Sequence, residues 1–334
     1  MIILMKVLFI GGTGIISEGV SRRVIEQGHE LYLLNRGTRT EFIPKGAKLI
    51  TGDIRDTDSC AKTLENYHFD VVVNWITFTP EQLKGDIEIF RNKTKQYIFI
   101  SSASAYQKPP LNYIINESTP LENPFWQYSR DKIECEKIVL EQYNRTGFPA
   151  TIVRPSFTYG LSMIPAALNS WEHPWSLVDR MKKGKEIIVH GDGTSLWTMT
   201  HNEDFAKGFV GLFGNKKSIG EVFHITSDEV LTWNEIYRAI GHAAGVEPNL
   251  IHIASNFIVS KDPELTGALL GDKSYSIVMD NTKIKSFVPD FKAVIPFAEG
   301  IKKTVEYFLN HPERCTIDDD WNNLMDRIIA AYKR

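Results

Sequence analysis

Tyr128 and Lys132 stand four residues apart, downstream of Ser101-Ser102 and of a glycine turn, Gly11-Gly12-Thr13-Gly14. On a helix, residues at i and i+4 share one face, so the phenol and the ammonium can meet. A serine at the end of an earlier strand can complete a proton-transfer group with them. A glycine turn that follows a strand cradles a dinucleotide. Together these features predict hydride transfer at a carbonyl or alcohol carbon, with Tyr128, Lys132 and Ser102 as the candidate catalytic group.

The elements that must position this group are written as short apolar runs alternating with amphipathic stretches. Strands are expected at Val7–Ile10, Glu30–Leu34, Lys48–Thr51, Val71–Trp75, Gln96–Ile100 and Ala150–Arg154. Several are continuously apolar, as strands buried on both faces are. Helices are expected near Glu18–Glu26, Asp58–Asn66, Glu81–Asn92 and Tyr128–Arg145. This βαβα order predicts an α/β fold built on a doubly wound parallel sheet. After Tyr159-Gly160 the pattern loosens, with helices expected around Ser176–Lys183, Asp204–Phe213 and Trp321–Tyr332 and strands at Glu186–His190 and Glu221–Thr226. The expected division is a dinucleotide-binding domain over 1–160, with a returning segment near 186–226, and a smaller mixed α/β substrate lobe mainly over 161–334.

The strand–turn–helix order around Gly11 to Ser17 gives the turn its meaning. Gly11 permits a backbone turn that a Cβ would block. Gly14 lets the following helix start approach a pyrophosphate, whose charge the free N–H groups and the dipole stabilise. Thr13, Ile15 and Ile16 complete the candidate phosphate-binding loop, and Ser17 takes the place of a third glycine. The second strand runs out into Asn35-Arg36, where NAD-selective sites carry a carboxylate for the ribose 2′-hydroxyl. An arginine attracts a 2′-phosphate instead, so the expectation leans to NADP, with NAD as the alternative. Arg36 stacking on adenine or pointing to solvent is the competing reading. Asp53-Ile54, closing the third strand, fits a place where an Asp meets the adenine amino group, or is an ordinary loop Asp.

The ordered set Gly11-Gly12-Thr13-Gly14, Gly52-Asp53-Ile54-Arg55-Asp56, Ser101-Ser102-Ala103-Ser104-Ala105-Tyr106, Tyr128-Ser129-Arg130-Asp131-Lys132 and Arg154-Pro155-Ser156-Phe157-Thr158-Tyr159-Gly160 resembles the extended short-chain dehydrogenase/reductase superfamily, in its NAD-dependent epimerase/dehydratase branch. The resemblance covers about residues 5–230 by motif. It implies a Rossmann domain, with Tyr128 as general acid/base, Lys132 as its electrostatic partner and a holder of the nicotinamide ribose, and Ser102 as hydrogen-bond donor to the substrate oxygen. It adds Asn74, Pro155 and Phe157 to the cofactor-binding set. A free phenol ionises near ~10. A cationic lysine and an oxidised nicotinamide nearby would lower that value, so that Tyr128 takes a hydroxyl proton as hydride leaves carbon, or returns it on reduction.

Departures from the pattern narrow the chemistry. Dehydratases of this resemblance carry an Asp-Glu pair just after the catalytic hydroxyl residue; here Ala103 and Ser104 stand there, which disfavours elimination of water. Where epimerases of nucleotide sugars commonly place an arginine after a Gly-Asp-Gly turn, Gly191-Asp192-Gly193 leads to Trp197, which can stack on a ring but cannot pair with a diphosphate. Ser104, Trp197 and His201 are the substrate-side candidates, with a structural role open for each. Trp75 and Phe78 either narrow the mouth of the site or pack.

Composition excludes other classes. The chain has 334 residues, 43% apolar and 24% charged, with a net charge of −3 and dispersed Lys and Arg, so neither nucleic acid nor a membrane is an expected partner. No His or Cys spacing suggests a metal, and three scattered cysteines read as free thiols of a cytoplasmic protein. The expected function is an NAD(P)-dependent oxidoreductase or epimerase acting on a small-molecule substrate, a sugar or sugar-like alcohol. An NADPH-dependent ketone or aldehyde reductase is the alternative, and a non-catalytic relative that senses cofactor or binds RNA or protein is a further one. A homodimer is left open.

Overall fold

The computed structural model describes residues 4–37 and 43–334. Its centre is a seven-stranded, all-parallel sheet. Across the sheet the strands run Val222–His224, Ala150–Arg154, Tyr97–Ile100, Val71–Asn74, Lys6–Ile10, Glu30–Asn35 and Lys48–Thr51. The strand Lys6–Ile10 lies between Val71–Asn74 and Glu30–Asn35, so the strand order reverses on either side of it. At such a reversal a crevice opens beyond the carboxyl ends of the strands, where ligands of doubly wound sheets bind.

Continuous apolar sequence is what both faces require. Val7 and Phe9 enter one core with Val20 and Phe205, while Leu8 and Ile10 enter the other with Leu83 and Phe90. Helices Ile15–Glu26 and Asn202–Gly211 pack against each other, and Thr57–Thr63, Pro80–Phe90 and Gln127–Thr146 complete the wrapping. Thr79 starts Pro80–Phe90 with a capping box to Gln82, and Gly147, at φ +71, ends Gln127–Thr146.

Within residues 186–226, Val222–His224 joins the edge of the main sheet, whereas Glu186–His190 pairs with Asn249–Ile253 in a separate two-stranded sheet. That small sheet, with helices Trp233–Ala243, Phe297–Asn310 and Asp319–Tyr332, surrounds a third core containing Trp175, Trp197 and Trp233. No described helix is long and apolar enough to cross a membrane.

The two parts meet at Asn202. Its Nδ2 donates to Ile15 O at 2.8 Å. A Cβ on Gly19 would lie 2.9 Å from the Asn202 carbonyl oxygen, and one on Gly160 would collide with the Asn202 side chain. Backbone cannot yield as a side chain can. Gly19→Ala is therefore expected to cost about 1–3 kcal/mol of stability, read as a lower melting temperature in a thermal denaturation scan.

Candidate active site

The glycine turn needs its glycines. Gly11 and Gly12 have φ of +88 and +95, and a Cβ on Gly12 would stand 2.8 Å from Leu33 Cδ2. Ser17, 2% exposed, accepts the Gly14 N–H at 2.8 Å and donates back to Gly14 O at 3.2 Å. A third glycine would leave that N–H open; the serine closes the turn on itself instead. Oriented to donate, the Asn35 amide reaches Gly11 O at 2.7 Å and Leu34 O at 2.8 Å, so it props the turn from behind. Arg36 is exposed beyond the strand end, and Asp53 is half-buried with Oδ1 accepting the Arg55 N–H at 3.0 Å.

A cavity of about 620 Å³ opens in front of the turn. Gly11, Thr13, Gly14, Ile15 and Ile16 line it, and so do Ser102, Ser104, Tyr128, Lys132, Pro155, Phe157 and Trp197. The structure therefore brings the glycine turn and the candidate catalytic group to one space. Asn35, Arg36, Asp53, Ile54, Asn74 and His201 do not line it.

Lys132 is 2% exposed on the inner face of Gln127–Thr146. Its Nζ donates to Thr77 O at 2.6 Å and Ile100 O at 2.7 Å, which leaves one of its three donors unassigned. Burial lowers its pKa to about 8. Beneath it, the buried Asp86 carboxylate accepts from Asn74 Nδ2 at 2.6 Å, Tyr97 OH at 2.8 Å and the Thr77 hydroxyl. Asn74 thus serves this network, and its Oδ1 holds the Ile76 N–H at 2.9 Å; its side chain is turned away from the cavity.

Tyr128 is half-buried one helical turn before Lys132. In the chain alone, burial raises its phenol above the ordinary value, the contact with Ser102 opposes this, and the Asp272 carboxylate raises it further. The Lys132 ammonium stands 5.7 Å from the Tyr128 ring centroid and donates to two backbone carbonyls.

Ser102 is the outer member of a hydroxyl chain. Ser129 Oγ donates to Ser104 Oγ at 2.8 Å, Ser104 and Ser102 hydroxyls lie 2.9 Å apart, and the Ser104 N–H donates to Ser102 Oγ at 3.2 Å. Ser104 accepts from Ser129, and either hydroxyl of the Ser102–Ser104 pair can donate to the other; with Ser104 as donor, Ser102 accepts twice and its hydrogen is left for a ligand.

Phe157 stacks 6.4 Å from Trp171, and Trp197 packs 5.5 Å from Trp233 with its Nε1 buried and unpartnered. Trp75 packs against Phe9 and Phe209, while Phe78 stays exposed at the mouth, its ring 4.9 Å from Lys132 Nζ. His201, 2% exposed, caps Asn202–Gly211 by accepting the Glu203 N–H at 3.3 Å, and its ring packs on Tyr159 at 5.3 Å. Burial lowers its pKa. Its setting is that of a helix cap away from the cavity. Sequence reasoning missed Asp272 and Lys273, which reach the cavity from the second lobe. No periodicity or motif marks them.

The chain matches the NAD dependent epimerase/dehydratase family over residues 7–226, and it belongs to that family. It is 28% identical over 261 residues to the chloroplast stem-loop binding protein of 41 kDa b of Arabidopsis thaliana, covering 74% of this chain and 65%, just under two thirds, of that one. It is 26% identical over 337 residues to a putative UDP-glucose 4-epimerase of Methanocaldococcus jannaschii, covering 91% and 99% of the two chains. Among solved structures it resembles the UDP-glucose 4-epimerase of Bifidobacterium longum in complex with NAD⁺ and UDP, with a TM-score of 0.75, 18% identity, and 93% and 99% coverage. The matched family is that of NAD dependent epimerases and dehydratases.

Burial raises the Asp86 carboxyl from 3.8 to about 6, against three hydrogen bonds that lower it. The folded state therefore holds a proton that the unfolded chain has lost, and stability falls as pH rises across that window. Relative to Asp86→Asn, the wild-type protein should lose about 2–3 kcal/mol between pH 4 and pH 7, measured by urea denaturation of both proteins at each pH.

Proposed function

We propose that this chain binds a nicotinamide dinucleotide and catalyses reversible hydride transfer at an oxygen-bearing carbon of a sugar or sugar-like substrate, as an epimerase or reductase. One observation carries the reading: Ser102, Tyr128 and Lys132 face the same cavity as the Gly11–Ile16 turn. The site suits the cofactor. The N-terminus of Ile15–Glu26 opens onto the cavity, where first-turn N–H groups lack intrahelical partners and favour phosphate.

Bound there, the nicotinamide supplies or accepts the hydride. Ser102, accepting from Ser104, donates its hydrogen to the substrate oxygen. Tyr128 takes the substrate hydroxyl proton, or returns one to the oxygen. Lys132, held by Thr77 O and Ile100 O, turns its remaining donor toward the cofactor ribose and keeps a positive charge near the phenol. Water elimination has less support, because Ala103 and Ser104 replace the paired acids and the cavity's Asp272 is tied to Lys273 at 3.1 Å.

Tyr128→Phe should lower turnover at least ~100-fold on a substrate identified with the wild-type enzyme, while leaving dinucleotide affinity, read by calorimetry, unchanged. Undiminished turnover would sink the assignment. Following nicotinamide absorbance at 340 nm on that substrate separates the reactions: a reductase consumes the reduced cofactor and an epimerase regenerates it.

An NADP preference is supported by the exposed Arg36 and the absence of a carboxylate at Asn35. Arg36→Ala should then weaken NADP⁺ binding about tenfold and leave NAD⁺ binding unchanged in parallel titrations. Tighter binding of NAD⁺ by the wild type removes the preference.

The stem-loop binding relative supports a second reading, recognition of a structured nucleic acid. The net charge of −3 gives it no electrostatic help. Filter binding of a stem-loop RNA at two salt concentrations tests it: salt-sensitive retention that Tyr128→Phe leaves intact would favour this reading.

A further inference from the structure

The segment Leu269–Lys273 forms a π-helical turn and delivers a charged pair to the cavity wall. Such turns recur at functional sites. Lys273 is 6% exposed; its Nζ donates to Asp272 Oδ2 at 3.1 Å and lies 5.3 Å from the Phe157 ring centroid. Asp272 is close enough to Tyr128 to act on its phenol. The pair therefore stands at the Tyr128 and Phe157 end of the cavity, where the substrate ring belongs, whereas the dinucleotide pyrophosphate belongs at the glycine turn.

A second buried ammonium lies behind it. Lys108 is 2% exposed, donates to Tyr106 O at 3.3 Å, and feels both Asp272 and Lys273. Among the described residues Lys273 pairs with no carboxylate other than Asp272, and Lys108 forms no ion pair. Two buried lysines thus stand about one carboxylate, and burial lowers the pKa of Lys108 while Asp272 raises it. Leaving a buried charge uncompensated is costly, and a ligand that brings the missing charge recovers that cost on binding.

We propose that Lys273, with Lys108 behind it, receives an oxyanion carried by the substrate, so that the site takes an acidic sugar derivative, a carboxylate or phosphate on the ring, rather than a neutral sugar. This specificity rests on the hydride-transfer reading for its reaction, but not for its binding. Asp272 holds Lys273 in place through their hydrogen bond until the substrate arrives.

The test is calorimetric. NAD⁺ or NADP⁺ binding is measured first, and its failure would count against the hydride reading alone. The protein, loaded or unloaded, is then titrated with matched probes: glucose, glucuronate and glucose 6-phosphate, and the pair UDP-glucose and UDP-glucuronate. At least one acidic probe should bind ~10-fold or more tightly than its neutral partner, with glucuronate and glucose 6-phosphate separating carboxylate from phosphate. Lys273→Met should abolish that preference without changing dinucleotide affinity, and Lys273→Arg should retain it. Equal or undetectable affinity for the acidic and neutral members of every set overturns the proposal, as does a preference that survives in Lys273→Met. Should Lys273→Met fail to fold, the wild-type comparison and Lys273→Arg still decide.

Discussion

A single buried ammonium organises the candidate site. Burial disfavours the charged form of Lys132, and two backbone carbonyls, Thr77 O and Ile100 O, converge on it while Glu136 and Asp86 support its charge from nearby. Thr77 joins the two charges, giving its carbonyl to the lysine and its hydroxyl to Asp86. Asn74 and Tyr97 complete the carboxylate's shell from neighbouring strands. A hydrogen-bonded network of this kind in a low-dielectric interior restrains its members. Through it the helix Gln127–Thr146 is held in rotation and height against the sheet, and Tyr128 inherits its position from that restraint.

Much of this was legible in the sequence because the requirements of a buried parallel sheet are local. Each expected strand of the first half appears within a residue or so of its expected bounds, since continuous apolar runs have no other place to go. The glycine turn and the Tyr128, Lys132 and Ser102 group were legible for a different reason: their types and order survive as motifs. What depended on three-dimensional balance was not. Whether Tyr128 is raised or lowered follows from burial against charge, and in the chain alone burial prevails. Asn74 and Asn35 carry side chains suited to ligands and also make internal hydrogen bonds, while His201 caps a helix through Nδ1 and keeps its buried Nε2 unpartnered. Asp272 and Lys273 lie in an irregular turn far along the chain and reach the cavity only through the packing of the second lobe.

The hydroxyl chain and the glycine turn illustrate one principle at two ends of the cavity. At both, a serine occupies a place where its size matters first and its hydrogen bonds second. Ser17 fits where a glycine could sit and then satisfies Gly14; Ser104 fits behind Ser102 and then links it to Ser129. Small polar residues can carry orientation without taking space from a ligand.

The junction at Asn202 reaches further than its own packing. Gly19 on the first helix, Gly160 just after the strand Phe157–Tyr159, and the Ile15 carbonyl all close around one side chain. The loop that would grip a dinucleotide and the segment leading into the second lobe are therefore machined to one another. Neither lobe is an interchangeable module: a chimaera that imported a second lobe from a relative with a different residue at this joint would have to import its matching gaps on the first helix as well. Divergence of substrate choice in such a protein is channelled into the cavity wall, where single side chains can change without disturbing the seam.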